Sequence, residues 1–399
     1  TPMDVTNACL ECHPDASAEV MATSHWTWEV EQVVGGKKIV RGKTNAINNF
    51  CIGFESNYKR CTSCHVGYGW KDSSFDFKDE SRVDCLVCHD TSGEYFKPKD
   101  APAGAGMPAG YTGNPAFDKK KYDLVKMAQN AGITTRKNCL TCHANGGGGN
   151  GVKHGDIDMS LVKPARSLDV HLSPEGQNFS CQECHITEEH KIKGNALLVS
   201  PGLNDAVNCT DCHDAEPHKK KLYNKHTAKV ACQTCHIPAF ARHFPTKMSW
   251  DWSTSKSPEG LTDDQKTMKK DGKIVYTHKK GDFVWEKNVI PEYHWYNGTA
   301  AAYIKGDKID PTKETKLNFP LGSRDDGISK IMPFKAHRGK QPYDKKNEYF
   351  VVPKLFPSKK GDSEAFWSGY DWNKAIAAGM KEAGLTFSGE IGWARAVTY

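Results

Sequence analysis

Cys181-Gln182-Glu183-Cys184-His185, Cys209-Thr210-Asp211-Cys212-His213 and Cys232-Gln233-Thr234-Cys235-His236 repeat one pattern, Cys-x-x-Cys-His, in close succession. The same pattern stands upstream at Cys9-Leu10-Glu11-Cys12-His13, Cys61-Thr62-Ser63-Cys64-His65, Cys85-Leu86-Val87-Cys88-His89 and Cys139-Leu140-Thr141-Cys142-His143. Two thiols three positions apart, followed at once by an imidazole, form the attachment pattern of c-type haem. The thiols make thioethers to the vinyl groups, and the adjacent His reaches the iron. Zinc knuckles and redox dithiols also use Cys-x-x-Cys, but neither needs His fixed at the next position. The sequence thus predicts seven covalent haem c groups, with His13, His65, His89, His143, His185, His213 and His236 as proximal ligands.

Composition agrees. The chain has 399 residues, of which 38% are hydrophobic, and a mean hydropathy of −0.65. That is little apolar material for a core of this size, and porphyrin is expected to supply the remainder. The formal charge of +6 counts polypeptide alone. Each ferric haem c adds about one negative charge through its propionates. Runs such as Lys119-Lys120-Lys121 and Lys219-Lys220-Lys221 are read as solvated faces and propionate partners, and no nucleic-acid partner is expected.

Covalent haem attachment takes place outside the cytoplasmic membrane, so a periplasmic or extracellular location is expected, with Thr1-Pro2-Met3-Asp4 read as a processed N-terminus. No apolar run approaches the ~18 residues of a membrane span.

The motif spacing is irregular, which excludes a fixed-period solenoid. Sustained 3.6-residue periodicity is scarce. Helices are expected at 15–24, 119–131 and 371–383, strand-like pieces at 273–277 and 282–286, and a Gly/Pro-rich surface loop at 101–115. The run Gly146 to Gly149 lets the backbone pass close to something flat, or simply turn. The expected class is mainly α with much irregular coil: a multihaem cytochrome c array over 1–240, with a haem-free, aromatic-rich C-terminal cap over 241–399. Trp250, Trp252, Trp285, Trp295, Trp367, Trp372 and Trp393 lie in that cap and are read as packing residues.

An electron-transfer haem needs a second strong ligand. His25, His154, His171, His190, His218, His226 and His337 are the favoured distal ligands, with His243, His278 and His294 as weaker ones. Cys51 is the odd thiol. It reads either as a small buried hydrophobe or as a reactive thiol near the second haem. Lys153, in Gly151-Val152-Lys153-His154, could ligate iron only when neutral, which requires a strongly lowered pKa.

Several stretches resemble the octahaem tetrathionate reductase family. They are Asn48-Asn49-Phe50-Cys51, Arg60-Cys61-Thr62-Ser63-Cys64-His65, Gly67-Tyr68-Gly69-Trp70-Lys71-Asp72 and Asp84-Cys85-Leu86-Val87-Cys88-His89-Asp90. Gly146 to Gly149 with Gly151-Val152-Lys153-His154-Gly155-Asp156 is similar, as are Cys232-Gln233-Thr234-Cys235-His236-Ile237-Pro238, Trp250-Asp251-Trp252-Ser253 and Gln341-Pro342-Tyr343-Asp344. The likeness covers most of the chain. It implies that Lys153 is the distal ligand of the haem on Cys61, Cys64 and His65, and that Cys51 lines the substrate pocket. It implies reduction of tetrathionate, nitrite or hydroxylamine, with Lys153, Cys51 and His65 as catalytic residues. The family name implies eight haems, and seven motifs stand here.

Two functions follow from the sequence. One is a reductase for a small anionic substrate, fed by a redox partner cytochrome or a quinol-oxidising membrane protein. The other is a non-catalytic electron conduit, either a shuttle or a subunit of a homo-oligomer or filament. The reductase site could also run in the oxidative direction, which sequence does not set.

Overall fold

The structure is a computed structural model that describes residues 1–34, 36–98, 105–111, 123–194 and 207–399. It corrects the mainly α expectation, with 25% helix against 22% strand and a nine-stranded mixed sheet at its centre. The strands of that sheet all come from residues 246–398. Their order is Ala300–Ala302, Thr315–Pro320, Ile391–Thr398, His337–Asp344, Thr246–Asp251, Gly281–Glu286, Lys273–Thr277, Thr267–Lys270, and Tyr349–Phe350 pairs with His337–Asp344. Two pairings are parallel: Thr315–Pro320 with Ile391–Thr398, and His337–Asp344 with Thr246–Asp251. The expected strand pieces at 273–277 and 282–286 are two neighbours in this sheet.

His337–Asp344 was invisible as a strand because His-Arg-Gly-Lys-Gln-Pro-Tyr-Asp lacks apolar alternation. It is central nonetheless. Pro342 is tolerated because it lies beyond Lys340, the last residue paired with Thr246–Asp251; no ladder bond is asked of its nitrogen on that side.

The main core joins this sheet to the N-terminal half. Trp250, Trp252, Phe283, Leu317, Phe350, Ala394 and Ala396 pack with Ile47, Phe50, Ile52 and Val152. Trp250 and Trp252 stack at 4.7 Å. The helix Trp372–Glu382 starts at Asp371, whose carboxylate accepts from the Lys374 backbone N–H. It buries Ala375, Ile376, Gly379 and Met380. A Cβ on Gly379 would stand 2.0 Å from the Val352 carbonyl oxygen, so glycine alone permits this approach.

The haem-bearing half is built from short pieces. Helices run Pro2–Leu10, Ala16–Met21, Ser24–Thr27, Leu124–Gln129 and Arg136–His143. The first part of the helix expected at 119–131 falls outside the described residues. So does much of the 101–115 loop; its described portion, 105–111, is not a surface loop but is largely buried, with Met107 against Tyr68. No buried hydrophobic residue among those described lies between Val152 and Ala231. This stretch carries two of the motifs.

Candidate functional site

Most motifs close the same turn. The His N–H donates to the carbonyl of the first Cys at 3.0 Å for His13, 3.0 Å for His89, 2.9 Å for His185 and 2.9 Å for His213. Thiols of different motifs meet. Cys9 is within hydrogen-bond reach of Cys85, Cys139 of Cys181, Cys64 of Cys142 and Cys209 of Cys232. Weaker electrostatic contacts join Cys88 to Cys139 and Cys184 to Cys212. The motifs therefore run in the order first, third, fourth, fifth, sixth, seventh, with the second beside the fourth.

Four motif imidazoles face four of the expected distal ones. The ring centres are 6.1 Å apart for His143 and His25, 6.2 Å for His89 and His190, 6.2 Å for His213 and His171, and 6.1 Å for His236 and His218. An iron between two imidazoles needs this spacing: about 2 Å of metal–nitrogen bond and about 1 Å from nitrogen to ring centre on each side. The hydrogen bonds agree, because Nδ1 is held and Nε2 is left for metal. His89 Nδ1 lies 2.9 Å from the Gly132 carbonyl. His190 Nδ1 lies 2.7 Å from the Glu19 carboxylate, and His218 Nδ1 lies 3.1 Å from Asn224 Oδ1. His185 follows the rule, with Nδ1 3.1 Å from the Lys193 carbonyl. The residues present fit haem.

The second motif differs. His65 N–H donates to Thr62, three residues back. Its ring is fully buried among Trp26, Trp28, Trp70, Phe75 and Phe77. Nε2 lies 2.7 Å from the Trp26 carbonyl, and Nδ1 has no partner. Burial pushes this imidazole down to about 3. The nitrogen that binds iron elsewhere is here engaged by the backbone.

Around this motif stand lysines. Lys43 lies 3.9 Å over the Trp28 ring and acts electrostatically on Cys61, His65, His143 and Lys153. Burial first, then Lys43, pushes the Lys153 ammonium down to about 8. Its side chain nonetheless keeps exposed surface, so the atoms that crowd the ammonium do not cover it. Gly147, and not Gly146, is needed for the close approach here. A Cβ on Gly146 would stand 3.4 Å from Lys153 Cδ, and one on Gly147, where φ is +72°, 3.0 Å from the Phe50 ring. The flat neighbour of the glycine run in the structure is Phe50.

Cys51 is half-buried and within electrostatic reach of Cys61 and Lys247. Lys335 Nζ donates to the Val152 carbonyl at 3.0 Å, the Lys153 carbonyl at 3.0 Å and Thr246 Oγ1. His337 stacks on Phe50 at 4.2 Å, with neither ring nitrogen partnered. No motif imidazole faces it among the described residues. The same holds for His154, whose carbonyl accepts from Thr246 at 3.2 Å, and for His226, exposed at the end of Lys221–His226. His243, His278 and His294 lie against Phe244, Tyr370 and Tyr399.

Lys43, Lys247 and Lys335 had no signal in a chain rich in lysine. Lys247 has a structural reason to be missed. Pairing slips between Lys247 and Ser249, and this bulge turns Lys247 to the face of Trp250, three residues on, against the normal alternation.

Comparison with known proteins places this geometry. The model of the family described as bacterial cytochrome c matches residues 247–399. An uncharacterised protein of Archaeoglobus fulgidus is 25% identical over 242 residues, covering 49% of this chain and 78% of its own. The crystal structure of an octahaem cytochrome c from Shewanella oneidensis superposes with a TM-score of 0.88 at 50% identity, over 100% of this chain and 86% of that one. The chain belongs to the multihaem c-type cytochromes, electron-transfer proteins whose cofactor is covalently bound haem c.

Proposed function

We propose that this cytochrome, carrying seven haems, reduces a small sulfur or nitrogen oxyanion, or hydroxylamine, at the second motif. The observation that carries the reading is the local chemistry there: His65 Nε2 is engaged by Trp26, the half-buried Cys51 acts electrostatically on Cys61, and Lys43 acts on both Cys61 and Lys153. The fourth motif supports the assignment by elimination. Lys153 acts electrostatically on His143 of the fourth motif, which already faces His25, so its amine is not needed there. Bound haem supplies electrons one at a time and a coordination position at its iron.

The residues do the rest. The Lys153 ammonium is destabilised by the atoms that crowd it and by Lys43, so the neutral amine that would hold iron is within reach near neutral pH. The Trp and Phe rings around His65 exclude water from that side. Lys43 and its neighbours favour a negative substrate. In this reading Cys51, half-buried and acting on Cys61, contacts the substrate. For tetrathionate, two electrons break the central S–S bond and leave two thiosulfates. For hydroxylamine, two electrons break N–O, and the protons come from solvent through these side chains. A redox partner cytochrome or a quinol-oxidising membrane protein outside the cytoplasmic membrane would feed the array.

The test is anaerobic turnover of tetrathionate, nitrite and hydroxylamine with excess reductant. Sustained turnover by the natural protein is expected, with a drop of at least tenfold in Lys153→Met and a smaller drop in Cys51→Ser. Stoichiometric reoxidation without turnover of any of the three would sink the enzyme reading.

A conduit remains the second reading, favoured by one observation. Cysteines of the first, sixth and seventh motifs (Cys12, Cys209, Cys212 and Cys235) are exposed, so both ends of the motif line reach the surface, where a partner or a second copy could dock.

A further inference from the structure

One face of the sheet carries two lysines with no carboxylate paired to either among the described residues. Lys247 is 5% exposed, and its Nζ stands over Phe283 at 3.5 Å, Trp250 at 4.0 Å and Trp285 at 5.2 Å. Its partners are aromatic faces. His337 lies on the same face: Arg338 pairs with Ser249 and Gly339 with Trp250, so His337, Gly339 and Trp250 point one way. The ring is 1% exposed and both its nitrogens lack a partner. Lys335 completes the group from the preceding residues, bound through neutral oxygens. No carboxylate lies within ion-pairing distance of Lys247 or Lys335 among the described residues. The nearest acid to act on Lys335 is Asp156, which is itself pushed toward its neutral form, first by burial.

Buried charge without a partner is costly, and two ammonium groups beside an unsatisfied imidazole define the missing partner. It is small, negative, and able to accept several hydrogen bonds. The segment Asn49-Phe50-Cys51 closes the face. Phe50 stacks on His337, and Asn49 Nδ2 donates to the His337 carbonyl at 2.7 Å. Cys51 acts on Lys247. We propose that Lys247, Lys335 and His337 form the binding seat for the oxyanion end of the substrate, beside the Cys51 thiol. The inference rests on the reductase reading for the fate of the anion, and not for its binding. A haem propionate is the rival occupant, and it would fill the seat permanently.

The experiment is calorimetric titration of the oxidised holoprotein, without reductant, using sulfite and thiosulfate as probes. Saturable one-to-one binding is expected, at least tenfold weaker in Lys247→Met and largely restored in Lys247→Arg. The haem absorption spectrum of each variant reports that the fold is intact. Absence of saturable binding by the natural protein, or equal affinity in Lys247→Met, overturns the proposal and leaves the seat to a propionate. Binding as expected with no turnover supports the seat and sinks the reductase alone. Turnover with an unchanged KM in Lys247→Met sinks the seat alone.

Discussion

At Lys247 a single side chain carries information that no motif held. Burial first, then Lys280, pushes its ammonium down to about 7 from an ordinary 10.5. Between those values the unfolded chain binds a proton that the folded one does not. Stability contributed at this position therefore rises with pH across that window and is absent below it. A bound anion reverses the effect, because it favours the charged form. Anion binding at about pH 8 is expected to take up protons. Calorimetry in two buffers of different ionisation enthalpy measures this directly; equal heats at pH 8 would sink the claim. The groups facing Lys247 are Lys280, Lys335 and Cys51. By contrast, the motif residues were fully legible, since Cys-x-x-Cys-His states its chemistry in five letters. His25, His171, His190 and His218 were legible only as a supply of imidazoles. Their partners depended on turns such as the one at Glu189 and His190, both at positive φ, which no periodicity announces.

Among elements, the strand His337–Asp344 and the segment 47–52 do most to position the site. Asn49 joins them: its amide donates to the His337 and Ala396 carbonyls, and its oxygen accepts from Thr398. Asn49 is fully buried. Asn49→Ala leaves two carbonyls unsatisfied, at a cost of about 1–3 kcal/mol. A lower thermal midpoint, together with weakened anion binding because His337 and Cys51 lose their tie, is the expected result. An unchanged midpoint would mean that the segment is held by Phe50 and Ile52 packing alone. The helix Trp372–Glu382 was readable from its amphipathic period. The sheet was not, because its central strand buries polar residues such as His337, Gln341 and Asp344, and such a strand lacks the apolar alternation that marks one in sequence.

Over the whole molecule, stability is unevenly distributed. The sheet half has a large apolar core, whereas the described residues between Val152 and Ala231 include no buried hydrophobic residue. Porphyrin has to be the interior there. Protein made without haem is expected to lose structure across the motifs while the 246–398 sheet persists. Limited proteolysis should then leave a resistant C-terminal fragment, against slow and uniform cleavage of the holoprotein. Rapid loss of the sheet as well would show that the two halves fold as one unit. The same uneven division explains the fold error at the level of sequence. Haem replaces the apolar periodicity by which helices are normally recognised, and the motif half therefore says little about its own secondary structure.

The thiol contacts place the second motif beside the fourth, while the line from first to seventh is continuous without it. A terminus on a siding behaves differently from one at the end of the track. Traffic can pass the junction while the siding is blocked, and stock held on the main line can be delivered in quick succession when it clears. If the proposed reduction needs several electrons, it is thereby spared the wait for each one to arrive from outside.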